Sequence, residues 1–270
     1  MRTNEANTQS PYQSSQPAST PPRAVRFSQR SSGFSLSPIK QIEIAASRIP
    51  GVVSLAQGIP ALPTPQVIKD FVHDRISAGA CDQYSLSPGL LELREILAAS
   101  LAEDGAQYDP ESEIIVTAGA IEGMTATLLG LINPGDEVLI PSPTYTSFIG
   151  SIRLAGGIPK HVALDEDRGF DLSVDRFAEA ITNRTRAIIL CTPNNPTGTI
   201  YSHDETEAVL RLAAEHNITV IVDEVYKDFY YSREAHQTPA AFPWARDYIV
   251  RVCSFSKAFS MTGWRVGFIA

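Results

Sequence analysis

The sequence predicts an α/β protein built on a mostly parallel, seven-stranded sheet flanked by helices. Two observations lead to this fold class. Short β-branched runs alternate with helical stretches from Ile114 onward. Most of these runs are continuously apolar, which is typical of strands that are covered on both faces. The expected strands are 114–117, 137–140, 158–162, 186–190, 218–222, 248–253 and 266–270.

Helices are expected between these strands and before them. The stretch 120–132 is followed by Asn133-Pro134-Gly135, which stops a helix, and Ser202 is placed to cap the stretch 203–216. Three further helices are expected upstream, separated by Gly and Pro turns, at 37–48, 65–78 and 88–103. Because strands and helices alternate, the strands are expected to pair mostly in parallel, with helices on both sides of the sheet.

Length and composition are those of a globular protein: 270 residues, of which 43% are hydrophobic and 19% charged. The net charge of −8 argues against nucleic acid as the main partner. Three cysteines are too few for a disulfide framework or a zinc site and fit a reducing, cytoplasmic compartment. No apolar stretch is long enough to span a membrane.

Both ends of the chain have distinctive compositions. Residues 1–32 are rich in Ser, Thr, Gln and Pro, and such a leader is expected to be disordered because it has almost nothing to bury. An organelle transit peptide is the alternative, since the leader carries arginines and few acids. The last residues, 266–270, have the composition of a buried strand without a polar cap, so the chain is expected to be a piece of a longer protein.

Ligands in such sheets bind beyond the carboxyl ends of the strands, so the residues that follow each predicted strand form the candidate site. Ala118-Gly119-Ala120 follows the first strand and opens a helix, where free N–H groups can hold a phosphate. A close-packed turn between strand and helix is the alternative interpretation. The loop 192–198 contains two Asn and two Pro residues and can present an amide in a fixed direction.

An acid and a lysine follow the next two strands. Asp223 comes directly after apolar residues, where a carboxylate is costly unless a cation meets it. A capping or salt-bridged Asp is the alternative. Lys257 lies among small, apolar and hydroxyl residues, which disfavours its ammonium form and frees the amine as a nucleophile for carbonyls. A surface lysine would not explain the flanking serines or Arg265. Together these groups are the parts that a pyridoxal 5′-phosphate (PLP) site needs.

The motifs at these positions occur in the order found in a known family. They are Ser142-Pro143-Thr144-Tyr145, Pro193-Asn194-Asn195-Pro196-Thr197-Gly198, Asp223-Glu224-Val225-Tyr226 and Ser254-Phe255-Ser256-Lys257, the last continuing as Ala258-Phe259-Ser260-Met261-Thr262-Gly263-Trp264-Arg265. With them the chain resembles the class I/II aminotransferases of PLP fold type I, the aspartate aminotransferase-like group. The resemblance covers residues 39–270.

The resemblance implies a role for each matching residue. Lys257 would form a Schiff base with PLP and move the proton between substrate and cofactor. Asp223 would pair with the pyridine N–H, and Asn195 and Tyr226 would hydrogen-bond the 3-oxygen of the ring. Tyr145 would stack on the ring. The phosphate would be held at Gly119, Ala120, Ile121, Ser254 and Arg265.

Two upstream residues resemble family positions that reach beyond the cofactor. Tyr84 resembles a tyrosine that reaches the phosphate in the neighbouring subunit, which implies a homodimer with shared active sites. Gly58 resembles the residue that contacts the substrate carboxylate, which Asn195 would also approach. An ordinary turn glycine is the alternative for Gly58.

The resemblance also divides the chain. Residues 33–65 would form an N-terminal arm and part of a small domain, and residues 66–270 the PLP-binding large domain, incomplete at its C-terminus. The family binds the substrate carboxylate through an arginine in a C-terminal small domain. Arg265 falls at the phosphate position and does not replace it. The chain alone is therefore expected to be poorly active.

The expected activity is exchange of an amino group between an L-amino acid and a 2-oxo acid. A PLP-dependent β-lyase shares all of these motifs and is the main alternative. A non-catalytic regulatory domain is a third, although no helix-turn-helix pattern precedes the predicted domain. The stretch 118–123 matches the glycine pattern of a dinucleotide site poorly.

Overall fold

A seven-stranded sheet forms the centre of the molecule. This computed structural model describes residues 25–26, 28, 30, 36–231 and 237–270. The strands are β1 (Ile115–Thr117), β2 (Glu137–Ser142), β3 (Ile158–Ala163), β4 (Thr185–Cys191), β5 (Thr219–Asp223), β6 (Ile249–Ser254) and β7 (Gly267–Ile269). They lie side by side in the order β1-β7-β6-β5-β4-β2-β3. Strand β7 is antiparallel to both of its neighbours, and the other pairs are parallel. The predicted fold class is confirmed.

The described part of the chain contains seven α-helices. They are α1 (Pro38–Ala46), α2 (Gln66–Ser77), α3 (Leu91–Glu103), α4 (Ala120–Leu131), α5 (Ser147–Leu154), α6 (Val174–Ala180) and α7 (His203–Glu215). Five of them correspond to the helices that the sequence predicts. The sequence patterns did not predict helices α5 and α6, which are short at 8 and 7 residues.

The apolar strands are buried on both faces, as their composition predicts. In β4, Ile188 and Leu190 pack into one core cluster, while Ile189 between them packs into the other. Helices α6 and α7 cover the first face, where Phe177 is fully buried. Helices α4 and α5 cover the second face, where Phe148 is fully buried. The sheet therefore lies between two layers of helices.

Helix α7 begins with the predicted cap. The Ser202 hydroxyl accepts a hydrogen bond from the backbone N–H of Glu205, and the Glu205 carboxylate accepts one from the N–H of Ser202. This reciprocal pair satisfies two donors at the helix start, which contributes about 1 kcal/mol. The cap fixes where the chain turns back after the loop 192–198.

The N-terminal part lies outside this layered core. Helices α1 and α2 bury none of their residues, and several apolar side chains between them are exposed. The predicted leader, 1–32, falls almost wholly outside the described residues, so its disorder stays a prediction, as does the division into domains. None of the helices in the described ranges has the length and apolar character that crossing a membrane requires.

Candidate active site

The candidate site lies at the carboxyl ends of four neighbouring strands. Tyr145 follows β2, Asn195 follows β4, Asp223 ends β5, and Lys257 follows β6. Strand register aligns these ends, because Cys191 of β4 and Val252 of β6 both pair with Asp223. The sheet thus brings together groups that are up to 112 positions apart in the sequence.

Tyr226 is the side chain around which several of these groups meet. The Asn195 Nδ2 donates a hydrogen bond of 3.1 Å to the Tyr226 hydroxyl. Burial is the main cause that raises the pKa of Tyr226 to about 12; negative charge on Cys191, Asp223 and Tyr145 contributes to this rise, and the hydrogen bond from Asn195 opposes it. At neutral pH the phenol is therefore protonated and can donate to an oxygen placed beside it.

Asp223 is a buried carboxyl group, only 5% exposed. Its Oδ1 accepts a hydrogen bond of 3.0 Å from the N–H of Val225. No Lys or Arg of the described residues forms an ion pair with it. Burial raises the pKa of Asp223 to about 7, with the neighbouring Glu224 adding to the rise and the Val225 N–H opposing it. The carboxyl is therefore placed to receive a cation, which would lower its pKa again.

Lys257 is half-buried, and burial lowers the pKa of its amine. The Nζ donates a hydrogen bond to the carbonyl oxygen of Gly58 and lies 5.8 Å from the centre of the Tyr226 ring. The fold thus brings together Lys257 and Gly58, which are 199 positions apart. A lowered pKa increases the fraction of neutral, nucleophilic amine.

The N-terminus of α4 and the side chain of Arg265 form a second group of contacts. Gly119 has φ +87°, and a Cβ built on it would lie 2.2 Å from Arg265 Nη2. The guanidinium donates to the carbonyl oxygens of Ala118 at 3.3 Å and Thr262 at 2.9 Å. Only a glycine leaves room for this guanidinium.

Two more predicted phosphate contacts open the same helix. Ala120 and Ile121 are the first residues of α4, where backbone N–H groups have no partner inside the helix. Gly267 of β7 packs closely here, because a Cβ on it would lie 2.8 Å from the nitrogen of Ala120. A helix N-terminus beside an arginine attracts an anion.

The remaining predicted residues lie as follows. The Ser254 hydroxyl donates 3.4 Å to the carbonyl of Val266 and accepts 3.0 Å from the N–H of Ser256. The Tyr145 ring packs edge-on against Phe148, with 5.6 Å between ring centres. Tyr84 is fully exposed and, among the described residues, forms no hydrogen bond with the other predicted site residues.

Sequence reasoning missed a contact between the N-terminal segment and the loop after β6. The Thr64 hydroxyl donates 2.6 Å to the carbonyl of Ser260 and accepts 3.1 Å from Trp264 Nε1. No sequence pattern predicts this contact, because Ser260 and Trp264 are 196 and 200 positions away from Thr64.

A buried ion-pair network behind Asp223 was also missed. Arg251 is fully buried, and its Nε donates 2.5 Å to Glu224 while its Nη2 donates 2.9 Å to Asp104. Lys227 Nζ donates 2.7 Å to the same Asp104 oxygen. An arginine inside an otherwise apolar strand was the available signal, since such a charge needs buried partners.

A model of the family described as "Aminotransferase class I and II" matches residues 50–270. The chain belongs to this family. It is 37% identical to the aspartate aminotransferase of Pyrococcus abyssi over 235 residues, which is 87% of the chain. It is 36% identical to the aromatic-amino-acid aminotransferase 2 of Thermococcus litoralis, also over 87% of the chain.

Solved structures agree with this assignment. The structure of the aspartate aminotransferase from Thermus thermophilus with maleate superposes on the present chain with a TM-score of 0.86 and 34% sequence identity. The superposition covers 91% of the present chain. The chain spans 60% of the length of both curated relatives and 64% of the length of this solved structure.

Class I and II aminotransferases depend on PLP, and the residues of this chain fit that cofactor. The buried Asp223 is without a cation among the described residues, which a protonated pyridine nitrogen would supply. At Gly119 the Arg265 guanidinium lies beside the N–H groups at the start of α4, and this combination suits a phosphate. A half-buried lysine amine is available for the aldehyde.

Proposed function

We propose that this chain is the cofactor-binding part of a PLP-dependent aminotransferase that exchanges an amino group between an L-amino acid and a 2-oxo acid. The observation that carries the proposal is the convergence of a half-buried amine, an amide, a phenol and a buried acid at adjacent strand ends, at Lys257, Asn195, Tyr226 and Asp223. The relatives described above are aminotransferases, which favours transamination over β-elimination.

When bound, PLP supplies an aldehyde that forms a Schiff base with an amine and a ring that withdraws electrons from the substrate α-carbon. Lys257 Nζ would be the amine that holds this aldehyde. Because burial lowers its pKa, the same nitrogen would also serve as the general base for the proton of the α-carbon.

Asp223 would hold the pyridine nitrogen in its protonated form. The carboxyl is buried, so its ion pair with the ring is poorly screened and strong. Asn195 and Tyr226 share a hydrogen bond and would hold the ring oxygen. Tyr145 would stack on the ring, and these contacts would orient the ring for proton transfer at Lys257.

The start of α4 would hold the phosphate. The N–H groups of Ala120 and Ile121 and the guanidinium of Arg265 would bind its oxygens, together with Ser254. Gly119 admits the guanidinium to this position. Gly58, beside Lys257, contacts the substrate carboxylate.

The proposal also includes an oligomeric state and a cellular compartment. The exposed Tyr84 reaches the phosphate of a second subunit, in a homodimer with shared active sites. The two free cysteines buried in the core, Cys191 and Cys253, suit the cytoplasm.

Lys257→Ala tests the assignment of the amine. Wild-type chain is incubated with stoichiometric PLP, reduced with borohydride and digested, and the labelled peptide is identified by mass. We expect the label on Lys257 in the wild type and no label in Lys257→Ala. The exposed Lys40→Ala is the matched control and should retain the wild-type label. A label spread over other lysines, or unchanged in Lys257→Ala, would contradict the proposal.

A further inference from the structure

Thr64 is a buried hydroxyl in an otherwise exposed segment. It is 8% exposed, while Ile59 is 58% and Leu62 77% exposed. Because these apolar side chains bury little surface, packing does little to hold residues 58–64 in place. The hydroxyl of Thr64 makes two hydrogen bonds, one as donor and one as acceptor. These bonds are therefore the main anchor of the segment.

Both partners of Thr64 lie in the loop that carries the amine and the phosphate-binding guanidinium. Ser260 and Trp264 fall between Lys257 and Arg265 in the sequence. Ser260 and Arg265 both have positive φ, +52° and +56°, so this loop turns sharply at two points. Thr64 spans the turn by bonding to the backbone at one point and to an indole at the other.

The same segment touches Lys257 at its other end. The Gly58 carbonyl accepts a hydrogen bond from the Lys257 Nζ, six positions before Thr64. Fixing Thr64 therefore restricts where Gly58 can lie. We propose that Thr64 is a positioning residue, which clamps residues 58–64 across the loop so that the Gly58 carbonyl covers the lysine amine. This inference rests on the proposed function of Lys257.

The clamp acts by keeping water away from the amine. Burial is the only cause that lowers the pKa of Lys257. Releasing the segment would hydrate the amine, which returns its pKa towards the ordinary value of 10.5. Thr64 thus maintains the neutral amine without contacting it.

Thr64→Val and Thr64→Ser separate the hydroxyl from the shape of the side chain. Val keeps the volume and loses both hydrogen bonds, and Ser keeps both. The full chain is acylated without cofactor across a range of pH, and the extent of labelling at each lysine is measured by mass. We expect Thr64→Val to raise the pKa of Lys257 and to leave Lys40 unchanged, with Thr64→Ser matching the wild type.

Proteolysis measures release of the segment itself. We expect chymotrypsin to cleave after Leu55 about tenfold faster in Thr64→Val than in the wild type or Thr64→Ser, since losing a hydrogen bond opens the segment by about that factor. Should Thr64→Val not fold, Trp264→Phe removes one bond and keeps the other, and a smaller rise in the pKa of Lys257 is expected.

The inference is overturned if the Lys257 profile is the same in Thr64→Val as in the wild type, or if Thr64→Ser behaves like Thr64→Val. No shift in Trp264→Phe would overturn it equally. Failure of wild-type Lys257 to capture PLP is a separate result. It overturns the proposed function, while the cofactor-free labelling still decides the role of Thr64.

Discussion

At the scale of single residues, the buried carboxyl of Asp223 lowers the stability of the folded chain when it is ionised and no cation is bound beside it. The folded chain holds its carboxyl with a pKa of about 7, whereas the ordinary value is 3.8. Between these pH values the folded state binds the proton and the unfolded state does not. The stabilisation by this proton is complete below about pH 4 and is lost as the pH rises to about 7.

Asp223→Asn should remove this pH dependence. Asn keeps an acceptor for the Val225 N–H and carries no charge to bury. At pH 8 and without cofactor, we expect the variant to be more stable than the wild type by up to about 4 kcal/mol, and the difference should vanish near pH 4. Urea unfolding at pH 4, 6 and 8 measures it.

The exposed Asp74→Asn is the matched control and should follow the wild type. Added PLP should stabilise the wild type more than Asp223→Asn, because only the wild type offers a carboxylate to the ring nitrogen. An equal gain in both proteins would refute the ion pair.

At the scale of elements, the start of α4 depends on one position without a side chain. In Gly119→Ala, the new Cβ would meet Arg265 Nη2 at 2.2 Å, and the backbone would keep φ +87°. We expect a loss of at least about 1 kcal/mol in the free energy of unfolding and weaker binding of PLP, because Arg265 must move. Urea unfolding and PLP titration measure the two effects.

Gly130→Ala is the control within the same helix. Its Cβ would meet nothing within 4 Å, and replacing a helical glycine by alanine stabilises by up to about 1 kcal/mol. We expect this variant to bind PLP like the wild type. The prediction fails if both alanine variants change stability in the same direction.

Sequence patterns predicted elements well where burial is uniform. The apolar composition of β4 and β5 indicates burial on both faces, so these residues could be assigned to strands from the sequence alone. Ligands in such sheets bind beyond the carboxyl ends of the strands, and this general rule predicted that Asn195, Asp223 and Lys257 lie near one another. Thr64 was beyond reach because its partners are distant in sequence and its own neighbourhood is exposed.

At the scale of the whole molecule, the Arg251 network joins parts of the chain that are far apart. Arg251 in β6 binds Glu224, directly after β5, and Asp104, at the end of α3. It thereby ties α3 to the strand that carries Asp223. One Arg251 nitrogen, Nη1, is buried without a hydrogen-bond partner, so the network is not fully satisfied.

Arg251→Met should destabilise the protein by about 3–5 kcal/mol, since it leaves Glu224 buried without this cation. The exposed pair of Arg168 with Asp171, 3.6 Å apart, provides the control. Arg168→Met should cost less than about 1 kcal/mol. Denaturant unfolding measures the free energy of unfolding of both variants. A similar loss of stability in the two would contradict a special role for the buried network.

Strand β7 has a consequence for how the protein is made. It inserts between β1 and β6, and Gly267 pairs with Thr117, 150 positions earlier. In the described sheet, β1 has no neighbour but β7. On the ribosome, β1 therefore emerges early and cannot join the sheet until β7 has left the exit tunnel. During that interval the β1 backbone groups that pair with β7 are hydrogen-bonded to water, while the N–H of Val116 can already donate to the carbonyl of Pro88.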